Sequence, residues 1–254
     1  MKAMIIGFLF VVFAVNAQAL AYTEERELKI EADGVRTFDI ACDAGGLFVE
    51  GRNQQEIQVK AVIEIDNVSP EKARRFIEDQ VELWLRKDGD VAYLKSEIES
   101  GFWKRKSARI NLSVYIPTQL SLKVKDGSGS ITVRSLGGDT HIEDGSGSIE
   151  VKNISGGNMV ITDGSGEITI EAIQGAVSIK DGSGSITAED ISGNVTIRDG
   201  SGSIRVRGVN GSVTVYDGSG SIDIRGVEKD VTVGSDGSGS RTISDVKGRI
   251  LERE

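Results

Sequence analysis

From Ser130 onward the chain alternates apolar and polar residues in short bursts: SITV, SIEV, EITI, SITA, SIRV and SIDI. Each burst follows the letters DGSG, which open at Asp126, Asp144, Asp163, Asp181, Asp199, Asp217 and Asp236, at intervals of 18, 19, 18, 18, 18 and 19 residues. A second alternating burst precedes each turn, as in VSIKD from Val177, VTIRD from Val195 and VTVYD from Val213. Period-two alternation marks a strand with one buried face. The inward set contains Ile131 and Val133, Ile149 and Val151, Ile204 and Val206, and Ile222 and Ile224. A further apolar residue stands at a corner (Leu136, Ile154, Ile173, Ile191, Val209, Val227), and glycine often follows two places on, as Gly138, Gly175, Gly193 and Gly211.

One such repeat cannot bury its apolar side chains alone. Stacked at about 4.8 Å per coil, neighbours share a continuous core and pair every strand above and below. The pattern therefore predicts an all-β, single-stranded β-solenoid (β-helix) with coils of about 18 residues, right-handed by the general preference of crossovers. A sandwich of hairpins would not need identical turns at a fixed period. In each turn the glycines permit positive φ, and the Asp side chain is placed to accept a hydrogen bond from the backbone two residues on.

Upstream the period is lost. EIQVKAVIEI, DVAYLKSEIE and ARINLSVYIP read as strands. Between the first two, Ser69-Pro70-Glu71 resembles a helix start, and Ala73, Phe76, Ile77, Val81, Trp84 and Leu85 recur at helical spacing up to Asp88-Gly89. A capping helix over 69–88 is predicted, its stripe packing on the first coils. At the other end the apolar slot becomes Arg241 and the chain closes in RILERE, which blunts the last edge with charge. Both ends are thus expected to be capped and the chain monomeric. The organisation expected is a leader over 1–21, N-terminal strands and helix beginning the solenoid over 22–120, and the repeats with a C-terminal cap over 121–254.

The leader is read from Lys2, the apolar run Met4 to Val15, and the small-x-small sites that place cleavage after Ala19 or Ala21. That run is too short to span a bilayer, which needs about 20 apolar residues. Export to the periplasm or cell surface is expected, with no transmembrane segment in the mature chain. Its loss takes away one positive charge and shifts the formal balance from −9 to −10. Such acidity gives no reason to expect nucleic acid. Cys42 is the only cysteine, so no intrachain disulfide is available, and its alternation with Phe38 and Ile40 suggests a structural thiol.

Candidate chemistry is sparse. The aspartates of the seven turns would repel one another along a column. Backbone amides can offset this, and calcium is the alternative, since it favours carboxylate and carbonyl oxygens. The turn is a poor match to calcium-binding β-rolls, with one turn per coil and the Asp before the glycines. The Gly-Ser turns open strands, not a helix with a Lys, so they are no phosphate loop. His141 is the only histidine, in an outward slot shared with Ser178, Thr196, Thr214 and Thr232. Glu150, Glu171, Glu189 and Asp223 also face outward but at scattered positions, giving little support to a carbohydrate-active enzyme. In GFWKRKSAR, Trp103, Lys104, Arg105 and Lys106 form a possible contact patch for anionic lipid or glycan.

FDIACDAGGLFVEG, followed by INLSVYIPTQLSLKV leading into the GSGSI coils, resembles the bacterial putative-adhesin family of domains of unknown function, similar to auto-transporter adhesin heads. The resemblance covers residues 34–65 and 109–254 and implies an exported β-helix without catalytic residues or cofactor. The expected role is a non-enzymatic display or adhesion module of the cell envelope. Its lattice of Asp, Ser and Thr would meet a repetitive partner such as envelope glycan or protein. A calcium-binding β-roll built on the Asp ladder and an envelope carbohydrate-active enzyme are the alternatives.

Overall fold

The structure, a computed structural model, describes residues 12–14, 21–99 and 108–252, and of residues 12–14, 235 and 236 the backbone only. The repeats form the solenoid that the period predicts. Its coils are β10 (Thr140–Asp144) with β11 (Gly147–Ile154), β12 (Met159–Asp163) with β13 (Gly166–Ile173), β14 (Val177–Asp181) with β15 (Gly184–Ile191), β16 (Val195–Asp199) with β17 (Gly202–Val209), β18 (Val213–Asp217) with β19 (Gly220–Val227), and β20 (Val231–Asp236) with β21 (Arg241–Val246). The short β22 (Ile250–Glu252) ends the stack. Strands of successive coils pair parallel and in register, so that Ile149 lies against Ile168, Ile168 against Ile186, and Ile186 against Ile204. Two facing sheets result, one from the strands before each DGSG turn and one from the strands after it.

β9 (Ser121–Arg134) joins them. Its first half, 121–128, lies in one sheet beside β10, and its second half, from Gly129, lies in the other beside β11. On its far side stands a coil from much earlier in the chain, β3 (Thr37–Ala44) and β4 (Leu47–Arg52), again parallel to it. Beyond that comes a coil made of β7 (Val91–Ile98) and β8 (Ala108–Pro117), parallel to β3 and β4. Spatial order and chain order therefore disagree here: an early coil sits between two later ones. Antiparallel strands then close the stack. β5 (Glu56–Asp66) pairs with β8, β2 (Ala21–Glu31) with β5, and β6 (Val81–Asp88) with β7. The expected leader lies outside the described residues except for β1 (Val12–Ala14), whose backbone pairs antiparallel with β2, and Ala21, which opens β2.

The predicted helix is shorter than its apolar stripe. α1 spans Pro70–Gln80, and Ala73, Phe76 and Ile77 are buried. Pro70 does open the helix, but the Ser69 side chain makes no capping hydrogen bond. Val81–Asp88 is strand β6, not the last two turns of a helix. In VELWLRKD the residues Val81, Leu83 and Leu85 also alternate with period two, and the ladder with β7 decides between the readings. Asp88-Gly89 is the start of a tight hairpin, with Gly89 at φ +61, and not a helix stop. Trp84 lies half-exposed, its Nε1–H donating to Glu82 Oε1 at 2.8 Å and Arg86 resting over its ring.

The core is one continuous column of Ile, Val and Leu. Every inward and corner residue named from the sequence is buried, including Leu136, Ile154, Ile173, Ile191, Val209 and Val227. A second regularity runs along the corners. The residue before each corner residue is left-handed: Ser135, Asn153, Ala172, Asp190, Gly208, Gly226 and Asp245 all have φ between 56° and 71°. The C-terminal coil packs loosely by comparison. Ile250 is 48% exposed, and the coil is held by surface pairs such as Arg241–Glu252 at 2.6 Å and Arg249–Asp230 at 2.7 Å.

Candidate binding faces and the aspartate seam

The DGSG turn is built by close approach between coils. Gly129, Gly147, Gly166, Gly184, Gly202, Gly220 and Gly239 have φ of 136–151°, a region open to glycine alone. A Cβ on Gly184 would lie 1.6 Å from the Gly166 carbonyl oxygen. The backbone ladder runs straight through the corner, with Gly182 N–H donating to Asp163 O at 3.1 Å and Gly200 N–H to Asp181 O at 3.1 Å. The predicted Asp bonds are present: the N–H groups of Ser146, Ser165, Ser183, Ser201 and Ser219 donate to Oδ1 of Asp144, Asp163, Asp181, Asp199 and Asp217 at 3.1–3.3 Å. At Asp126 the donor is Gly127 N–H, at 2.8 Å.

The position of these carboxyls corrects the display-lattice expectation. Asp126, Asp144, Asp163, Asp181, Asp199 and Asp217 are only 2–8% exposed, so they line the inside of the solenoid and present nothing to a partner. Strand parity is the reason. In VTIRD, Val195, Ile197 and Asp199 share one face, and that face is inward. Asp236 pairs with Asp217 in register, which continues the column along the backbone. At the other end the same slot is filled by Cys42 and then by Ser96. Among the described residues, no three His, Cys, Asp or Glu side chains converge as a metal cluster would require. A calcium ion takes six to eight oxygens, whereas the seam offers one carboxylate per coil.

Five carboxyls of the column, those of Asp126, Asp144, Asp163, Asp181 and Asp199, are held above the usual carboxylate range. Burial, followed by the charge of Asp144, pushes Asp126 up to about 6. Burial, followed by the charge of Asp181, pushes Asp199 up to about 6. Asp144, Asp163 and Asp181 are raised as well, in each case chiefly by burial. The Cys42 thiol, against Asp126, is driven far above its usual range by burial and by that carboxylate, so it remains protonated and unreactive.

The outer surface offers two repetitive arrays. Along the turn edge, Ser130, Ser148, Ser185, Ser203, Ser221 and Ser240 form an exposed ridge in coil register, interrupted by Glu167. Ser221 and Ser240 Oγ atoms are 3.0 Å apart. On the outer face of the sheet before the turns, Ser178, Thr196, Thr214 and Thr232 follow one another, preceded by His141 and by Val160, which is 36% exposed. His141 Nε2 meets Glu143 Oε1 at 3.1 Å, while its register neighbours are Lys123 and Val160. A hydroxyl–imidazole–carboxylate relay is not assembled among these side chains.

The outward carboxylates on the other sheet are tied to cations. Arg134 and Lys152 flank Glu150, Lys152 also reaches Glu171, and Arg207 and Arg225 flank Asp223, while Glu189 lies between Glu171 and Arg207 in register. Hydrogen bonding from Lys152 holds Glu150 below the usual carboxylate range, opposite to what a general acid needs. Trp103, Lys104, Arg105 and Lys106 lie outside the described residues.

The sequence model of the family described as Toastrack DUF4097 matches residues 49–247. The chain belongs to the Toastrack family. Comparison with curated proteins finds no match. Solved structures with a similar fold include a putative adhesin from Bacteroides fragilis, at 13% identity and a TM-score of 0.45, covering 90% of this chain and 96% of that one. A putative lipid binding protein from Parabacteroides distasonis has 15% identity and a TM-score of 0.46, covering 91% and 97%. A putative cell adhesion protein from Clostridium sporogenes has 9% identity and a TM-score of 0.41, covering 91% and 100%. The Toastrack stack of this chain is thus a parallel β-solenoid with an antiparallel N-terminal closure.

Proposed function

We propose that this Toastrack chain is a non-enzymatic, exported binding module of the cell envelope, which uses its turn edge and hydroxyl face to hold an extended, repetitive partner such as a glycan. The observation that carries the reading is the serine ridge: short hydroxyls, exposed and held in coil register by a backbone ladder that cannot shift. A rigid row of donors and acceptors spaced by about 4.8 Å suits many weak, simultaneous contacts, because ordering the surface costs nothing at the moment of binding. With the aspartates inside, the ridge itself presents serine hydroxyls, with Glu167 its one carboxylate, and reads hydroxyl groups more than charge.

The test is a binding screen of the mature chain against envelope glycans, with and without calcium, followed by Ser185→Arg/Ser203→Arg. Loss of at least about tenfold in affinity at unchanged melting temperature supports the reading, since bulky cations at the centre of the ridge block several contacts together. Full retention of binding in the double variant, or silence against every glycan, overturns it.

A further inference from the structure

The interior of the repeat region holds a polar feature that glycan binding leaves unused. Oδ1 of Asp126, Asp144, Asp163, Asp181, Asp199 and Asp217 is engaged by its own turn, but Oδ2 of Asp144, Asp163, Asp181 and Asp199 has less than 1 Å² of accessible surface and no hydrogen-bond partner. Among the described residues, no Lys, Arg or His lowers the titration of these four or of Asp126. Among the described residues, what faces them is the aspartates of the coils above and below, their own turn amides, the apolar core and, at the N-terminal end, the Cys42 thiol. Lys125, Lys180 and Arg198 precede their aspartates in sequence but point to the opposite, exposed side of the strand. A buried, unpaired carboxylate is costly, and a line of them at coil spacing costs more still.

The seam needs a cationic ligand small enough to reach a single oxygen in each coil. The described side chains offer no converging donor set for a metal ion. A proton fits: it turns Oδ2 from an orphan acceptor into a hydroxyl and cancels the charge. An entry point exists as well. A cavity of about 200 Å³ at the N-terminal end of the column is lined by Cys42, Asp43, Lys95, Glu97, Lys125 and Asp126. There burial and the charge of Glu97 also raise Asp43, while Lys95 is bound by Glu82 and Glu97.

We propose that the aspartate seam is a proton-binding column: the folded solenoid takes up protons on these carboxyls as the medium becomes mildly acidic, and its coils are thereby tightened. Each event is a simple transfer from hydronium to Oδ2, giving a neutral carboxylic acid and water. Like charges in a row titrate together, so uptake spreads over a broad pH range and belongs to the column as a whole. The sign follows from linkage. With Asp126 and Asp199 raised to about 6, and Asp144, Asp163 and Asp181 raised above the usual carboxylate value of about 4, the native state binds more protons than the unfolded chain from there upward. Stability contributed by the seam is therefore greatest below about pH 4 and declines as pH climbs through 6, the reverse of an ion-paired carboxylate.

The test compares thermal melts of the wild type, Asp163→Asn and Asp181→Asn from pH 4.5 to 8. Asparagine keeps the Oδ1 acceptor, removes the charge, and can donate to the carboxylate of the adjoining coil. Each variant is expected to melt higher than wild type at pH 8, by roughly 3 °C or more, with the advantage vanishing by pH 4.5. Using the difference between variant and wild type cancels the opposite trend of surface ion pairs. A difference that is independent of pH, or that grows toward acid, overturns the proposal. Should both variants fail to fold, proton uptake on refolding of the wild type at pH 6, read by calorimetry in buffers of different ionisation enthalpy, decides in their place: net uptake supports the column and zero uptake removes it. A calcium-dependent rise in melting temperature that Asp181→Asn abolishes would make a metal the ligand and would also overturn it.

Discussion

The two ends of this molecule use the same strands to opposite ends. From Ser121 to Val246 every strand is parallel, every coil repeats the last, and inward positions stack apolar on apolar and Asp on Asp until Ile222 meets Arg241. From Ala21 to Pro117 the register comes from unlike partners: antiparallel ladders, a helix, and an early coil, β3–β4, inserted between two later ones. The repeat region achieves regularity through glycine corners that tolerate no side chain. The N-terminal region achieves closure, because antiparallel strands and α1 cover an end that a bare coil would leave open to another edge. Repetition alone builds a stack, and only irregular sequence can finish it.

Glycine substitution breaks the comparison most sharply. Gly184→Ala sets a Cβ 1.6 Å from the Gly166 carbonyl oxygen at φ +143, and we expect a loss of about 4 kcal/mol or more in urea denaturation. Cavity formation comes next and should be indifferent to region. Ile186→Ala in the repeats and Ile63→Ala in the cap, both fully buried, should each cost about 3 kcal/mol. Hydrogen exchange then sharpens the contrast: if the core is continuous, Ile186→Ala lowers protection in the coils adjoining it more than in β5. Gly89→Ala in the β6–β7 hairpin has open space around it and only its φ of +61 to oppose it, so about 1 kcal/mol is expected, a fraction of the Gly184 effect. The smallest change has the opposite sign. Ala172 is the one alanine in the left-handed corner column, at φ +58, and Ala172→Gly should raise stability by about 0.5 kcal/mol.

Much of this fold was legible because the period forces it. Identical turns at a fixed interval fixed the coil, and alternation chose the inward residues down to the corner set of Leu136 and its counterparts. The seam was equally present in the letters, since Asp199 shares parity with Val195 and Ile197. Turn chemistry masks it, because Asp beside Gly reads as a turn residue, and turns lie on the surface by default. The helix was overdrawn for a similar reason. Val81, Trp84 and Leu85 satisfy a helical stripe and Val81, Leu83 and Leu85 a strand, and only the partner β7, supplied by tertiary structure, breaks the tie. The left-handed column at Ser135, Asn153, Ala172 and Asp190 could hardly be foreseen, because just two of its seven members are glycine.

The inserted coil also dictates timing. A chain delivered from its N-terminus presents Thr37–Arg52 early, yet the segments that must flank it, 91–117 and 121–134, arrive only afterwards. Until both are in place β3 and β4 have lateral edges to satisfy and no neighbours to satisfy them. Placing β3 and β4 therefore depends on contacts far apart along the chain, a slow step that leaves those edges exposed to anything able to cover them, whereas each repeat coil needs only the neighbouring coil to pair with.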